Sequence, residues 1–488
     1  MFTSKTRREF LISAGAATAL FFLPTKVAQA QELRTRKNVA SPDAEGDLAS
    51  LRDGVSEMKR LINTDPEDPR GWILQAYIHG NCNDFTDCKH SNWYFAPWHR
   101  SYLYYFEQLI QHFSGNATFA LPYWDWSQTH TVPSSFYGDA NPLDDNISIQ
   151  SICSSAPTAG RGRPDGEEIT QQELEEYVGP VRIESIQQNP DYATYGGIGG
   201  SGELEVIPHN FIHRWVGDVG GKNSNMVQFF SPLDPIFWMH HCNIDRLYSD
   251  WLSRPGHLPP SEDEWQNQSF NEFYDVDKNQ VGSEFTCGQT VDSRVMGYVY
   301  STDQITNLTQ TLAARSSIIR QQVVESVIES KSILVENVLS FEANVDLSLR
   351  TRRLISTAAV GVPNYVVRLR IEGVKTPKQQ NTGVFVFLGP DITAETPISA
   401  PGYVGNFTFF EGQGGGNRKR WSHGHKKNVL LNATEAVKRL YGDTRLSESN
   451  SLKVSIVTRS LFGDQNAFAS VEEIQPNMVQ IDVVDLNA

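Results

Sequence analysis

The chain has 488 residues, of which 39% are hydrophobic and 20% charged; this length suits about three ordinary domains, and the composition excludes an intrinsically disordered protein. Forty-two Lys and Arg against 57 Asp and Glu leave a net charge of −15, which argues against a general binder of nucleic acid or anionic membrane. Five Cys are too few for a disulfide scaffold, and no apolar run reaches the ~20 residues that span a bilayer.

Residues 1–30 read as an export signal. Thr6-Arg7-Arg8-Glu9-Phe10-Leu11-Ile12 leads into an apolar stretch from Phe10 to Leu23, closed by Ala28-Gln29-Ala30. A basic start, a short apolar run and an A-x-A site mark a secretory signal, and the paired Arg before Phe-Leu points to the twin-arginine translocase. An exported protein, periplasmic or secreted, is expected. An amphipathic helix of the mature fold is the alternative, but the stretch has no polar face. The twin-arginine route carries folded proteins, often with a cofactor aboard, which is a first hint of a metal.

Residues 31–260 form the expected catalytic unit, dense in Trp, Tyr and His. Between Trp98 and Ile110, Leu103, Phe106 and Ile110 fall on one helical stripe. Thr131 to Gly202, polar and bearing Gly and Pro, reads as long loops. Residues 261–340 read as a post-core segment and connector, with Arg315 to Val338 as a helical connector. From 341 to 488 the period changes to two: Val367, Leu369 and Ile371 alternate with Arg368 and Arg370, and Leu452, Val454 and Ile456 with Lys453 and Ser455. The expected fold is a mainly α domain, a helical bundle holding its site in long loops, followed by a β-rich, sandwich-like C-terminal domain. Gly412 to Arg420 reads as a solvated basic loop.

Twelve His are present, and their arrangement is the informative feature. His209 and His213 stand four apart, so on a helix both imidazoles face one way and can hold one metal; Pro208 is tolerated in a first turn. His240 and His241 are adjacent and diverge by ~100°, so only one can serve the same site. With His79, His90 and His99 this makes two candidate groups: His79, His90, His99 and His209, His213, His241. Scattered core histidines are the bland alternative for any single ring. All-imidazole groups suit Cu, Zn, Fe or Ni, and two of them suggest a dinuclear centre. A zinc hydrolase would bring a carboxylate ligand, and HExxH does not occur.

His90-x4-Phe95 with Trp98-His99-Arg100 and Glu107 resembles the first copper motif of the tyrosinase and polyphenol oxidase family. Asp234-Pro235-x-Phe237-Trp238-x-x-His241-x3-Asp245 resembles the second. Ala96 departs from the pattern, where a larger apolar residue or Pro is usual. The resemblance covers about Arg34 to Trp251, in the family's order. It makes His241 the sixth ligand and implies two copper ions in a type-3 centre, O2 as co-substrate and a small phenolic substrate. Phe273-Tyr274-Asp275 to Gly297-Tyr298 resembles the segment that follows the copper core in plant and bacterial members, and the β-rich remainder resembles their shielding domain. By that resemblance the chain is latent until the C-terminal domain is displaced, with an activating protease and a copper chaperone as further partners.

The resemblance also assigns neighbours. Cys88, two residues before His90, matches the Cys-x-His in which family members join sulfur to the ring as a thioether; a free thiol or a disulfide with Cys82 is the alternative. Cys153, Cys242 and Cys287 show no pairing logic. Glu205 and Asn210 match the pair that holds a water as the base for monophenols, and Arg214 matches a position linked to substrate choice, where it could pair with a substrate carboxylate. Their bland alternatives are a helix-start acid, a surface amide and a solvated charge. Phe229 or Phe230 matches a gate Phe or is plain core. Arg100, Asp245 and Glu107 are expected to orient ligands without touching copper. His112, His130 and His257 read as surface residues.

The leading expectation is therefore ortho-hydroxylation of monophenols and oxidation of o-diphenols to o-quinones. A catechol oxidase without hydroxylation is the alternative enzyme. An O2 carrier of the molluscan haemocyanin type would use the same site, but carriers are large arrays and this chain is single-copy.

Overall fold

The computed structural model describes residues 33–154, 156–157, 159–219, 222–282, 284–302, 321–343, 365–379, 381–410, 426–442, 452–463 and 468–486. The expected export signal at 1–30 and the expected solvated loop Gly412 to Arg420 lie outside them. Among the described residues no helix is long and apolar enough to cross a membrane.

The N-terminal half is helical. It contains α1 (Glu45–Thr64), α2 (Trp72–His79), α3 (Phe95–Ser114), α4 (Asn210–Gly217) and α5 (Ile236–Ser253). Helix α3 packs between α1 and α5. It buries the Leu103, Phe106 and Ile110 stripe, each fully inaccessible. Trp238 of α5 lies flat on Phe106, with ring centroids 3.5 Å apart. Pro97 falls in the first turn of α3, where no N–H is needed, and Gly115 ends the helix at a φ of 71°. Asp234 starts α5: its Oδ1 accepts the Ile236 N–H at 3.1 Å while Arg161 clamps the carboxylate at 2.5 and 3.0 Å.

Two short parallel strands, β1 (Arg34–Arg36) and β2 (Tyr298–Tyr300), tie the ends of this half together. Behind them lies a buried clamp. Arg36 reaches Glu107 at 2.9 Å and Asp245 at 3.2 Å, and Arg34 reaches Glu107 at 3.1 Å. Asp245 also takes Arg100 at 2.5 Å and the Tyr298 and Tyr300 hydroxyls at 2.7 and 2.5 Å. Glu107 and Asp245 therefore lock α3, α5 and the paired strands together. Their partners are arginines, tyrosines and backbone, so they act on the imidazoles through the helices that carry them.

The C-terminal half is two antiparallel sheets built from β3 (Gln322–Glu329), β4 (Ser332–Val335), β5 (Val338–Ala343), β6 (Tyr365–Lys375), β7 (Thr382–Leu388), β8 (Tyr403–Phe407), β9 (Lys426–Asn432), β10 (Leu452–Ser460) and β11 (Met478–Asp485). One sheet runs β8-β7-β10-β5-β4 and the other β9-β6-β11-β3. The period-two stripes fill the core: Leu369, Ile371, Val454 and Ile456 are fully buried. The expected helical connector over Arg315 to Val338 is corrected here. Its described part is extended, with β3 pairing with β11 in one sheet and β4 pairing with β5 in the other, because Gln322-Val323-Val324-Glu325-Ser326-Val327-Ile328-Glu329 is rich in β-branched residues. Among the described residues, the strands of the β half begin at Gln322, ahead of the expected residue 341.

The halves are joined by specific contacts. Arg368 of β6 forks onto buried Asp191 with two 2.7 Å bonds, and the Asn432 N–H donates to Glu203 at 3.0 Å. Ser201 bridges to Val429 of β9, and the Thr408 N–H donates to Val206 O at 3.0 Å.

Candidate metal centre

His79 ends α2, where Gly80 must follow: a Cβ there would lie 2.5 Å from the Phe229 carbonyl oxygen. That close approach lets the same carbonyl accept from His79 Nδ1 at 2.5 Å. His99 lies one turn into α3, with Nδ1 bonded to Phe95 O at 2.7 Å. His90, on the loop before α3, sets Nδ1 3.2 Å from Glu205. His209 closes a wide turn, Glu205–His209, in which the Asn210 N–H reaches back to Glu205 O and Pro208 is accommodated without its own donor. His213 follows one turn later in α4, its Nδ1 bonded to Met226 O at 2.7 Å.

These partners fix the tautomers. A carbonyl oxygen only accepts, so His79, His99 and His213 carry the proton on Nδ1 and present a bare Nε2 lone pair. Asn210 Nδ2 donates to Thr408 O at 2.9 Å, which orients its amide so that Oδ1 accepts from His209 Nδ1 at 2.8 Å. The Nε2 atoms converge: those of His79 and His90 are 3.5 Å apart, and those of His213 and His241 are 3.2 Å apart. His209 Nε2 is buried without a partner. Burial pushes the His79 imidazolium down to about 4 and that of His213 to about 3, and those of His90, His99, His209 and His241 also fall well below their ordinary value. Neutral, buried nitrogens facing one another repel unless a cation sits where they converge, so these residues fit metal ions.

Two groups of ligand atoms result, each within 4.8 Å internally: His79, Cys88, His90 and His99, and His209, His213, His240 and His241. The groups abut where the His99 and His241 rings stack at 4.3 Å. His240 and His241 are separated by chemistry. Trp126 Nε1–H donates to His240 Nδ1 at 3.2 Å, so His240 keeps its proton on Nε2 and has no lone pair there to give.

The remaining candidates are placed as follows. Cys88 Sγ lies in the first group, 3.3 Å from His99 Nε2. Glu205 accepts the Ser91 N–H on both oxygens, at 2.9 and 3.0 Å, beside His90, and burial pushes its carboxyl up to about 7. Arg214 is buried and ion-paired with Asp218, so a role in anchoring a substrate carboxylate requires that pair to open. Phe229 offers the group its carbonyl, while its ring packs edge-on against Phe85 at 4.9 Å. His257 is buried against Trp251, contrary to its surface reading. His130 bonds Ser127 O, and His112 lies on the surface beside Arg70.

Two aromatic residues at the site escaped the sequence reading. Phe85 stacks on His90 at 4.4 Å. Phe410, three residues beyond β8, stacks on His213 at 4.1 Å and lies 5.7 Å from both His90 and His209. The available signal was the aromatic run Phe407-Thr408-Phe409-Phe410 just before a Gly-rich loop.

Comparison with known proteins bears on this geometry. Residues 69–254 match the common central domain of tyrosinase. Tyrosinase HcTyr1 of a Hahella species is 28% identical over 342 residues, 62% of this chain and 70% of that one. Residues 69–254 carry the central domain of the tyrosinase family. The chloroplastic polyphenol oxidase II of Ipomoea batatas is 30% identical over 54% of this chain and 48% of its own length, so the match spans about half of such plant relatives. In fold, the chain resembles latent apple tyrosinase (TM-score 0.61, 20% identity, 93% of this chain and 96% of that one) and latent aurone synthase (TM-score 0.64, 20% identity, 94% and 91%). Both halves are included in those overlaps. The family is a type-3 dicopper family, and the two imidazole groups fit its dinuclear copper centre.

Proposed function

We propose that this exported protein is a latent copper-dependent phenol oxidase, which hydroxylates monophenols at the ortho position and oxidises o-diphenols to o-quinones with O2. In this reading His79, His90 and His99 hold one copper and His209, His213 and His241 the other, with Cys88 joined to His90 as a thioether that fixes the ring. Bound copper supplies O2 activation; the chain supplies position, dryness and proton handling. The six neutral nitrogens leave the metal charge uncompensated, which favours a phenolate oxygen. Glu205, raised to about 7, can take the phenol proton near neutral pH, with Asn210 as its partner.

The observation that carries the latent part of the reading is Phe410. Its ring covers His213, and Thr408, two residues earlier, takes the Asn210 amide donor. A substrate ring and a free Asn210 amide both require that segment to leave, which makes displacement of the C-terminal half the activating step, by protease cleavage in the connector. A twin-arginine translocase and a copper chaperone are the partners that export and loading call for.

Quinone formation from tyrosine and from a simple catechol, measured on the copper-loaded chain before and after limited proteolysis, tests this. Turnover of both substrates that rises on cleavage supports it, and no turnover by the cleaved, loaded protein overturns it. Turnover of catechol alone leaves the catechol oxidase reading; Glu205→Gln slowing tyrosine but not catechol argues for hydroxylation.

A further inference from the structure

The copper reading uses one of five cysteines. Cys242 is fully buried in α5 with its thiol on Leu121 O at 3.4 Å, and Cys287 is buried in a short helix of its own. The remaining two meet. Cys82 is half-buried, three residues beyond His79 in the segment that leaves α2. Cys153, 4% exposed, lies in the loop that follows Ile149. Their side chains are in hydrogen-bonding contact, and the Tyr77 ring of α2 completes the group.

Seventy-one positions separate the two sulfurs in sequence, and the intervening stretch carries Cys88, His90 and His99. Both thiols sit on irregular segments with little regular hydrogen bonding to hold them, where a covalent tie restrains most. The export signal sends the chain to a compartment where such bonds persist. We propose that Cys82 and Cys153 form a disulfide in the exported protein, closing a covalent loop around the first imidazole group.

The bond forms by exchange. Cys82, the more exposed sulfur, attacks the active-site disulfide of a thiol–disulfide oxidoreductase as its thiolate, giving a mixed disulfide and releasing one oxidoreductase thiol. Cys153 then displaces the second oxidoreductase sulfur. Each cysteine gives up one proton and one electron, and the oxidoreductase leaves as the dithiol. Burial and the neighbouring thiol hold Cys82 up at about 11, so its thiolate is scarce at neutral pH and an enzyme oxidant is the effective one. The pairing also leaves Cys88 without its Cys82 alternative.

Peptide mapping of the full-length protein tests this, using material purified from the exporting compartment, alkylated in denaturant and digested without reductant. The expected result is a linked pair of peptides containing Cys82 and Cys153, two hydrogen masses lighter than the separate peptides and split by a phosphine. Thiol titration in denaturant should rise by two on reduction of the wild type and not rise in Cys82→Ser or Cys153→Ser. Recovery of both residues alkylated without reduction, or of Cys82 linked to Cys88, overturns the proposal. Neither readout involves copper or phenol turnover, so its failure is distinct from failure of the oxidase reading.

Discussion

The clamp behind β1 and β2 and the imidazole cluster are equally buried, yet their polar groups are arranged in opposite ways. In the clamp, Glu107 and Asp245 are each answered by arginines, and Asp245 takes two tyrosine hydroxyls as well. In the cluster, neutral imidazole nitrogens face one another at 3.2 and 3.5 Å, with only other imidazoles as partners at those atoms. The first arrangement pairs every one of its carboxylates with arginine and holds the scaffold shut. The second is left incomplete by the protein, and a scaffold that rigid is what keeps it from collapsing into ordinary hydrogen bonds. A buried polar region that is satisfied reads as structure, and one that is held open reads as a site.

The comparison can be broken most severely at Asp245. Asp245→Ala leaves Arg100 buried without its carboxylate and Arg36 with Glu107 as its one carboxylate, and chemical denaturation should show a loss of about 3–5 kcal/mol. A loss under about 1 kcal/mol would mean that the clamp is not what holds the helices. A smaller effect is expected at the lid. Phe410→Ala removes one stacked ring from His213, and catechol turnover by the uncleaved, copper-loaded chain should rise by up to about tenfold, the equivalent of one aromatic contact. Unchanged turnover would place the block elsewhere in the β half.

The smallest effect concerns pH and is read as a difference between two curves. Burial raises the Glu203 carboxyl to about 7 where it accepts the Asn432 N–H. Its folded value lies above its unfolded one, so the stability it contributes is fully present below the unfolded value and is lost as pH rises through about 7. Stability of Glu203→Gln, followed from about pH 4 to 8, should gain on the wild type as pH rises. Parallel curves would mean that Glu203 does not hold its proton at this junction.

Much of the helical half was legible because its signals are local. The stripe on α3 and the spacing of His209 and His213 each need only a few neighbouring residues. The period-two strands Val367–Ile371 and Leu452–Ile456 were legible for the same reason. Strands β3 and β4 were not: Val323, Ile328 and Ile333 are exposed in the structure, so their pattern carried no inside and outside to read. Phe410 was invisible because it lies some 200 positions from the rings it covers, and the meeting of Cys82 with Cys153 likewise depends on chain folding rather than spacing. His240 and His241 look alike in sequence; the Trp126 donor that separates them comes from a loop more than 100 positions away.

Copper per chain is the most direct measurement of the central claim. Purified, loaded wild type should hold two copper ions, His241→Ala should hold one, and His240→Ala should keep both, since the His240 lone pair is already given to Trp126. A wild-type chain without paired copper, or loss of copper from His240→Ala while His241→Ala keeps both, would contradict the account.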